Sequence, residues 1–554
     1  MTSHADWLLL GTPTLPAGPQ ALNDGDAAAP WLRAMASGPA GWRTWVAGLR
    51  GGFAVGLRDG AGRVGLAVDR FATHSLCYRL HDGQLQFAER ADAFGVGELD
   101  PQALFDYLYY HVIPSPRTAV RGVHRLPPGH VLWFEHGQVR IEPYWVPRFE
   151  PAARPRFDDL KQEFRALLKQ AVQRQLGSGP AACFLSGGTD SSTVAGMIRE
   201  ATGQGPASYS IGFDAQGYDE MAYARIAAKA YGCKHHEYYV TPDDLVAAIP
   251  SAARFHDQPF GNSSALPAYY CALKAREDGV TKLLAGDGGD ELFGGNARYA
   301  KQRVFGWYDA VPGPLQRGLL EPLFFNDTAR RLPLLKKAHS YIEQAREPMP
   351  ERMEMYNLLL RLGLGNVLTP AFLAAVDAEG PRREQRQTWD QTRADGELNQ
   401  TLAFDWRYTL AENDLPKVRH STQMAGVEVG FPLLDEDLLD FSLRLPNDYK
   451  LRGLKLRWFF KEALRGFLPD EIITKQKHGF GLPFGVWATQ HPALRALASD
   501  SLRSLATRGL VRTDFIDTLL QVHLPAYPGY YGEMVWILMM LEQWLQAHAP
   551  NWRL

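Results

Sequence analysis

The stretch Phe184-Leu185-Ser186-Gly187-Gly188-Thr189-Asp190-Ser191-Ser192 decides the fold of this chain. A short apolar run, Ala181 to Leu185, ends in a Ser-Gly-Gly turn and passes into an amphipathic run around Val194-Ala195-Gly196-Met197-Ile198. That order is a strand, a loop and a helix start. Gly187 and Gly188 let the backbone approach an anion closely, and the exposed N–H groups of a helix N-terminus then hold it. The hydroxyls of Ser186, Ser191 and Ser192 add donors, and Asp190 is suited to reach a Mg²⁺ on the phosphates. No Gly-Lys-Ser/Thr follows, so this is not a Walker A loop.

The same alternation continues on either side. Phe157 to Leu176 reads as a helix ahead of the first strand. The strand Ala207 to Phe213, the helices Asp219 to Tyr231 and Pro242 to Phe255, and the strand Lys282 to Ala285 follow. Strands alternating with helices imply a parallel sheet covered on both faces. The second strand ends in Tyr209-Ser210-Ile211-Gly212-Phe213, a backbone edge and flat apolar wall suited to an adenine ring at the carboxyl ends of parallel strands. The third ends in Leu283-Leu284-Ala285-Gly286-Asp287-Gly288-Gly289-Asp290-Glu291-Leu292-Phe293-Gly294-Gly295, three acids among five glycines. Asp290 would complete Mg²⁺ coordination opposite Asp190, and Asp287 would orient or deprotonate a nucleophile. The bland alternative for each segment is an ordinary Gly-rich turn. Further on stands Thr474-Lys475-Gln476-Lys477-His478-Gly479-Phe480. An ammonium group aimed at the phosphates would stabilise the charge that builds as ATP is cleaved, although a lone loop lysine is ordinarily solvated.

Upstream, residues 1 to about 145 read as β-rich, with Phe53 to Asp59, Val64 to Asp69, Gln84 to Ala88, Val131 to Phe134 and Val139 to Ile141 as short strands between Gly/Asp turns. Val146 to Pro155, punctuated by Pro147, Pro151 and Pro155, reads as a linker. The expected division is 1–146 and 157–554, with mostly helical text beyond residue 300. At 554 residues two domains or more are expected. A formal net charge of −2 leaves no electrostatic footprint for nucleic acid. The four cysteines, Cys77, Cys183, Cys233 and Cys271, form no C-x-x-C pair, which argues against a disulfide framework and a zinc site. Neither a secretory signal nor a membrane span is legible, since the longest apolar run, Met534 to Leu541, is far too short to cross a bilayer. These features lead us to expect a cytoplasmic protein without nucleic-acid or membrane partners.

Together the motifs resemble the pyrophosphate-loop synthetase domain of the asparagine synthetase family, whose relatives include β-lactam synthetases and lasso-peptide macrocyclases. The resemblance covers roughly residues 160 to 480, and more weakly Gly529 to His548. Its markers are Ser186-Gly-Gly-Thr-Asp-Ser-Ser, Ser210-Ile-Gly-Phe, His235-His-Glu, Asp257-Gln-Pro, Ala285-Gly-Asp-Gly-Gly-Asp-Glu, Phe431-Pro-Leu-Leu-Asp and Lys475-Gln-Lys-His-Gly-Phe. The resemblance implies an α/β fold, with a glutaminase-like (Ntn-type) β-rich domain ahead of a parallel-sheet domain that binds ATP and Mg²⁺. It implies that Leu185, Ile211, Ala285 and Gly286 line the ATP site and that Lys477 is catalytic. It makes His235 and His236 structural rather than metal ligands. The implied activity is an amide ligase that forms AMP and pyrophosphate, adenylating a carboxylate for attack by ammonia or an amine.

Departures from that pattern fall where the acceptor should bind. Arg419-His420-Ser421 stands in place of Val-Asp-Arg, and Glu428-Val429-Gly430-Phe431-Pro432 replaces an Arg by Gly430. A lost Arg removes a bidentate carboxylate clamp, which puts free aspartate in doubt as substrate. Glu428 is expected to join Asp287 on the acceptor side. The first domain has Met1-Thr2-Ser3-His4 where such a glutaminase starts Met-Cys-Gly, so its hydrolytic activity is expected to be absent. Three substrate readings remain open: aspartate with ammonia, a peptide carboxylate with its own amino terminus, and a small amino-acid-derived metabolite. An intramolecular cyclase is the alternative within this class. A non-catalytic nucleotide-binding protein and a tRNA-thiolating enzyme are the readings outside it. A homodimer is an open expectation.

Overall fold

The computed structural model describes residues 6–15, 18–21, 28–151, 155–177, 179–215, 217–309, 311–316, 318, 333–475 and 481–554. The amino-terminal part carries eight strands that concern the fold. These are β1 (Trp7–Gly11), β2 (Phe53–Arg58), β3 (Val64–Val68), β4 (Cys77–His81), β5 (Gln84–Ala88), β6 (His124–Arg125), β7 (His130–Glu135) and β8 (Gln138–Pro143). They pair antiparallel in two sheets, β1-β2-β3-β7-β8 and β5-β4-β6. Alternation along β2 and β3 sends Ala54, Leu66 and Val68 into a core shared with Leu85 and Phe87 of the second sheet. The opposite side chains, Phe53, Val55 and Ala67, meet Trp31 of α1 (Ala29–Ala36) and Trp42 of α2 (Gly38–Ala47).

The second part is built on five parallel strands, β9 (Ala182–Phe184), β10 (Ala207–Phe213), β11 (Lys234–Val240), β12 (Lys282–Leu284) and β13 (Glu428–Gly430). Their order is β11-β10-β9-β12-β13. Of the chain's helices, α3 (Pro101–Tyr110) belongs to the first part. The others that matter here are α4 (Phe157–Gln175), α5 (Thr189–Thr202), α6 (Met221–Tyr231), α7 (Pro242–Phe255), α8 (Ala265–Glu277), α9 (Gly289–Phe293), α10 (Leu415–Met424), α11 (Trp458–Ala463) and α12 (Pro528–His548). The mixed α/β architecture expected from the sequence is the one observed. The apolar run Met534–Leu541 lies in α12 and is buried throughout, against α7 and the helices that follow residue 484. Among the described residues no helix is long and apolar enough to cross a membrane.

The two parts are docked rather than strung apart. Phe149, inside the expected linker, is buried and packs on Trp406, with ring centroids 5.4 Å apart. Tyr107 of α3 donates its hydroxyl to the Ile537 carbonyl of α12 at 2.8 Å.

Candidate active site

A cleft of about 1240 Å³ opens at the carboxyl ends of β9, β10 and β12. Pockets for one ligand commonly hold roughly 300–1,000 Å³, so a nucleotide and a second substrate fit side by side. The floor is the turn between β9 and α5. Leu185 donates its N–H to the Tyr209 carbonyl at 2.9 Å, which extends the sheet by one residue before the chain turns. Gly187 then adopts φ +68°, and a Cβ there would lie 2.4 Å from the Ala224 backbone nitrogen. Only glycine tolerates both the backbone angle and the approach to α6.

The serines divide their work. Ser186 N–H donates to Ser191 Oγ at 3.1 Å, and Gly188 N–H donates to Ser186 Oγ at 3.3 Å. Both hydroxyls line the cleft and shape the loop. Ser192 is fully buried and does not line the cleft. Thr189, Asp190 and Ser191 open α5 at the cleft, where the free N–H groups of a 14-residue helix favour negative charge.

Leu185, Ser186, Gly188, Asp190, Ser191, Ile211, Gly286, Asp287 and Asp290 all line this one cleft. Three other expected residues stand a layer behind it. Gly187 rests on α6, and Gly212 is backed by the Tyr239 ring. Ala285 is buried, donating its N–H to the Gly430 carbonyl at 2.9 Å. Lys477 lies outside the described residues. Lys475, two positions earlier, lines the cleft with its ammonium 3.0 Å from Glu220. His235 and His236 lie on β11, the first bonded to Ser208 and the second with its Nδ1 3.0 Å from an Asp278 carboxylate oxygen.

The acids are held in distinct ways. Asp190 and Asp290, from the first turns of α5 and α9, converge on the Arg457 guanidinium. Two carboxylates close enough to share one cation, open to a cleft that would also supply phosphate oxygens, fit Mg²⁺, which takes one or two carboxylates plus substrate phosphates. Asp287 lies 3.6 Å from the Lys417 ammonium. Burial raises the Asp287 carboxyl above its usual range, and Lys417 opposes the rise. Lys417 is also paired with Asp414 at 3.0 Å. Burial, with Asp290, Asp414 and Asp405 nearby, pushes the neighbouring Glu291 well up.

Glu428 does not join them. It opens β13 at its amino end, paired in register with Lys282, whereas the cleft lies beyond the carboxyl ends of the strands. Its side chain is exposed and is not part of the cleft. A parallel strand that starts at Glu428 delivers the next segment, not Glu428, to the site. The acceptor role expected for it is therefore dropped.

Three contributors carry no clear signal in sequence. Arg457, Lys417 and Asp414 reach the cleft from helical text, and Asp414 closes a π-helical stretch, Trp406–Asp414, that leads into α10. π-Geometry often marks functional sites, but nothing in the residues predicts it. Five basic residues between 455 and 475 line the cleft: Lys455, Arg457, Lys461, Arg465 and Lys475. They put cations on one wall of a cleft whose lining also carries acids, Glu220 and Glu462 among them.

Comparison with known proteins shows the family of the chain. An asparagine synthase family model matches residues 163–546, and a glutamine amidotransferase domain model matches residues 36–145. The glutamine-hydrolysing asparagine synthetase 1 of Bacillus subtilis is 23% identical over 498 residues, covering 88% of this chain and 75% of the relative. A putative glutamine-hydrolysing asparagine synthetase of Mycobacterium tuberculosis is 27% identical over 402 residues, covering 70% of this chain and 59% of the relative. The amidase chry2 of Gibberella zeae is 24% identical over 498 residues, covering 80% of this chain and 71% of the relative.

Proposed function

Because the chain belongs to the asparagine synthase family, a family of ATP-using carbon–nitrogen ligases, we propose that it adenylates a carboxylate and transfers the acyl group to ammonia or an amine. The observation that carries this reading is the glycine turn after β9, whose helix N-terminus and Asp190 face Asp290 across one cleft. The substrate carboxylate attacks the α-phosphorus of ATP, and pyrophosphate leaves. The amine nitrogen then attacks the acyl carbon, AMP leaves with the bonding pair, and the nitrogen gives up a proton.

The residues divide the labour accordingly. The loop N–H groups and the basic residues of 455–475 bind the phosphates, and Ile211 offers the base an apolar wall. Asp190 and Asp290 are the residues to hold Mg²⁺, which would neutralise charge on the departing pyrophosphate. Asp287 receives the amine proton, and Lys477 keeps its expected role toward the phosphates.

The ammonia or amine does not come from glutamine hydrolysis in this chain. Cys77 is the sole cysteine of the first 146 residues. It is fully buried on β4, and burial pushes its thiol up, away from the reactive thiolate. We further propose that the chain divides at 147–156 into a glutaminase-like part without this activity and a synthetase part. An exchange assay of labelled pyrophosphate into ATP, run over a panel of carboxylates with and without ammonia and amines, tests the function. Exchange that depends on one carboxylate, followed by amide formation on adding the amine, is expected. The absence of exchange with every member of the panel, aspartate and amino-acid derivatives included, would count against the adenylation step. A parallel assay should find no glutamate released from glutamine.

A further inference from the structure

Arg457 occupies the position where a metal would be expected. Its Nη1 donates to Asp190 Oδ2 at 3.0 Å and to Asp290 Oδ1 at 2.8 Å, and its Nη2 donates to Asp190 Oδ1. The guanidinium lies 4.3 Å over the Phe460 ring and is nearly withdrawn from solvent, at 6% side-chain exposure. Three further features are built around it. The Arg457 backbone is left-handed, at φ +53°, a conformation disfavoured for a non-glycine residue. A Cβ on Gly289 would lie 2.3 Å from Asp190 Oδ1, and a Cβ on Gly295 would lie 1.8 Å from Asp290 Oδ1. Gly289, which opens α9, and Gly295, which follows it, thus clear room for this carboxylate–guanidinium packing.

Asp190 and Asp290 repel one another in a partly desolvated cleft unless a cation lies between them. Arg457 supplies that cation through the same oxygens that Mg²⁺ would need. Guanidinium and metal therefore compete for one seat. We propose that Arg457 is a positioning residue that keeps the two carboxylates converged without metal and yields them when Mg²⁺ arrives with the nucleotide. The displaced guanidinium needs new anionic partners, and the phosphates that come with the metal provide them. Metal and nucleotide binding are therefore coupled, and metal alone is disfavoured. This inference rests on the reading of Asp190 and Asp290 as metal ligands.

Mn²⁺ serves as the probe, with binding to the full chain followed by paramagnetic resonance, first alone and then with the non-cleavable α,β-methylene analogue of ATP. The wild-type chain should bind Mn²⁺ weakly alone and at least tenfold more tightly with the analogue. Arg457→Met should bind Mn²⁺ alone at least tenfold more tightly than wild type, with the enhancement by the analogue largely gone. Arg457→Lys keeps a cation but not the fork, so it should retain part of the coupling. It also carries the test if the Met variant does not fold. Unchanged Mn²⁺ affinity and unchanged coupling in the Lys variant, and in the Met variant where it folds, would overturn the inference. Asp290→Asn separates the two layers of the argument. If it leaves Mn²⁺ binding with the analogue intact, the metal assignment itself fails. If it abolishes that binding while the Arg457 variants behave as wild type, only the role of Arg457 fails.

Discussion

At the residue scale the chemistry turns on how each acid is partnered. Asp287 must be ionised to accept a proton, yet burial raises it, and the Lys417 ammonium 3.6 Å away is what opposes the rise. Removing that charge lets the carboxyl move further up. Lys417→Met should therefore shift the acid limb of the pH–rate profile for amide formation to higher pH, while Lys417→Arg should leave it nearly in place. A limb that stays put in Lys417→Met would mean Asp287 is not the titrating base. Asp190 has a different task. Asp190→Ala should lower pyrophosphate exchange by about 100-fold or more, the scale of losing one preorganised electrostatic contact. Near-normal exchange in that variant would remove the site assignment altogether. The acids were legible because they sit in glycine turns at the ends of apolar runs, where a helix or sheet interior gives them no other employment. Arg457 was not, because a basic residue in helical text reads as a solvated face. Only the folded chain brings it to Asp190, 267 positions away.

At the element scale the legible parts are those whose burial is one-sided or complete. The apolar strands Ala207–Phe213 and Val64–Val68 are recognised from composition alone. Lys234–Val240 is an edge strand reading KHHEYYV, too polar to announce itself, because its residues before Val240 are exposed or half-buried at the rim of the sheet. Ala265–Glu277 buries residues on several faces between neighbours, so its sequence lacks the single apolar stripe of an amphipathic helix. Glu428 was misplaced for a directional reason: a parallel strand brings its last residue to the ligand, and Glu428 is the first. The turn after β9 gives the element-scale prediction. Gly187→Ala combines a positive φ with an approach of 2.4 Å to the Ala224 backbone nitrogen, which cannot swing aside as a side chain could. A strained backbone of this kind costs about 1–3 kcal/mol. The variant should show a lower thermal midpoint and weaker ATP binding together. A loss of ATP affinity with unchanged stability would argue instead for direct contact between Gly187 and the nucleotide.

At the scale of the whole molecule, buried charge holds the two parts together. Glu412 is buried between Arg125 and Arg407, and both arginines bond to it. Burial alone would raise its carboxyl, but the two arginines outweigh it and hold the carboxyl below its usual range. Glu412→Gln leaves two guanidinium groups short of a partner and should cost about 3–5 kcal/mol, with no pH dependence near neutrality. Glu436, at a second contact, behaves in the opposite sense. Its Oε1 accepts the Gly51 N–H across the junction at 2.8 Å, and burial, opposed by Arg70, pushes its carboxyl up to about 7. The folded chain then holds this proton more tightly than the unfolded chain, whose carboxyl titrates near 4.5. The contribution of Glu436 to stability is full below pH 4.5 and is lost as the pH rises through about 7, amounting to about 3 kcal/mol. A glutamine in its place still presents an oxygen to Gly51 and carries no charge at any pH. Glu436→Gln should therefore flatten the fall in thermal midpoint between pH 5 and 8 and should be more stable than the parent above pH 7. Thermal midpoints of both proteins taken across that range test the point directly. Two curves that run parallel would show that the Glu436 carboxyl does not change its charge at the junction, and that the pH dependence of docking arises elsewhere.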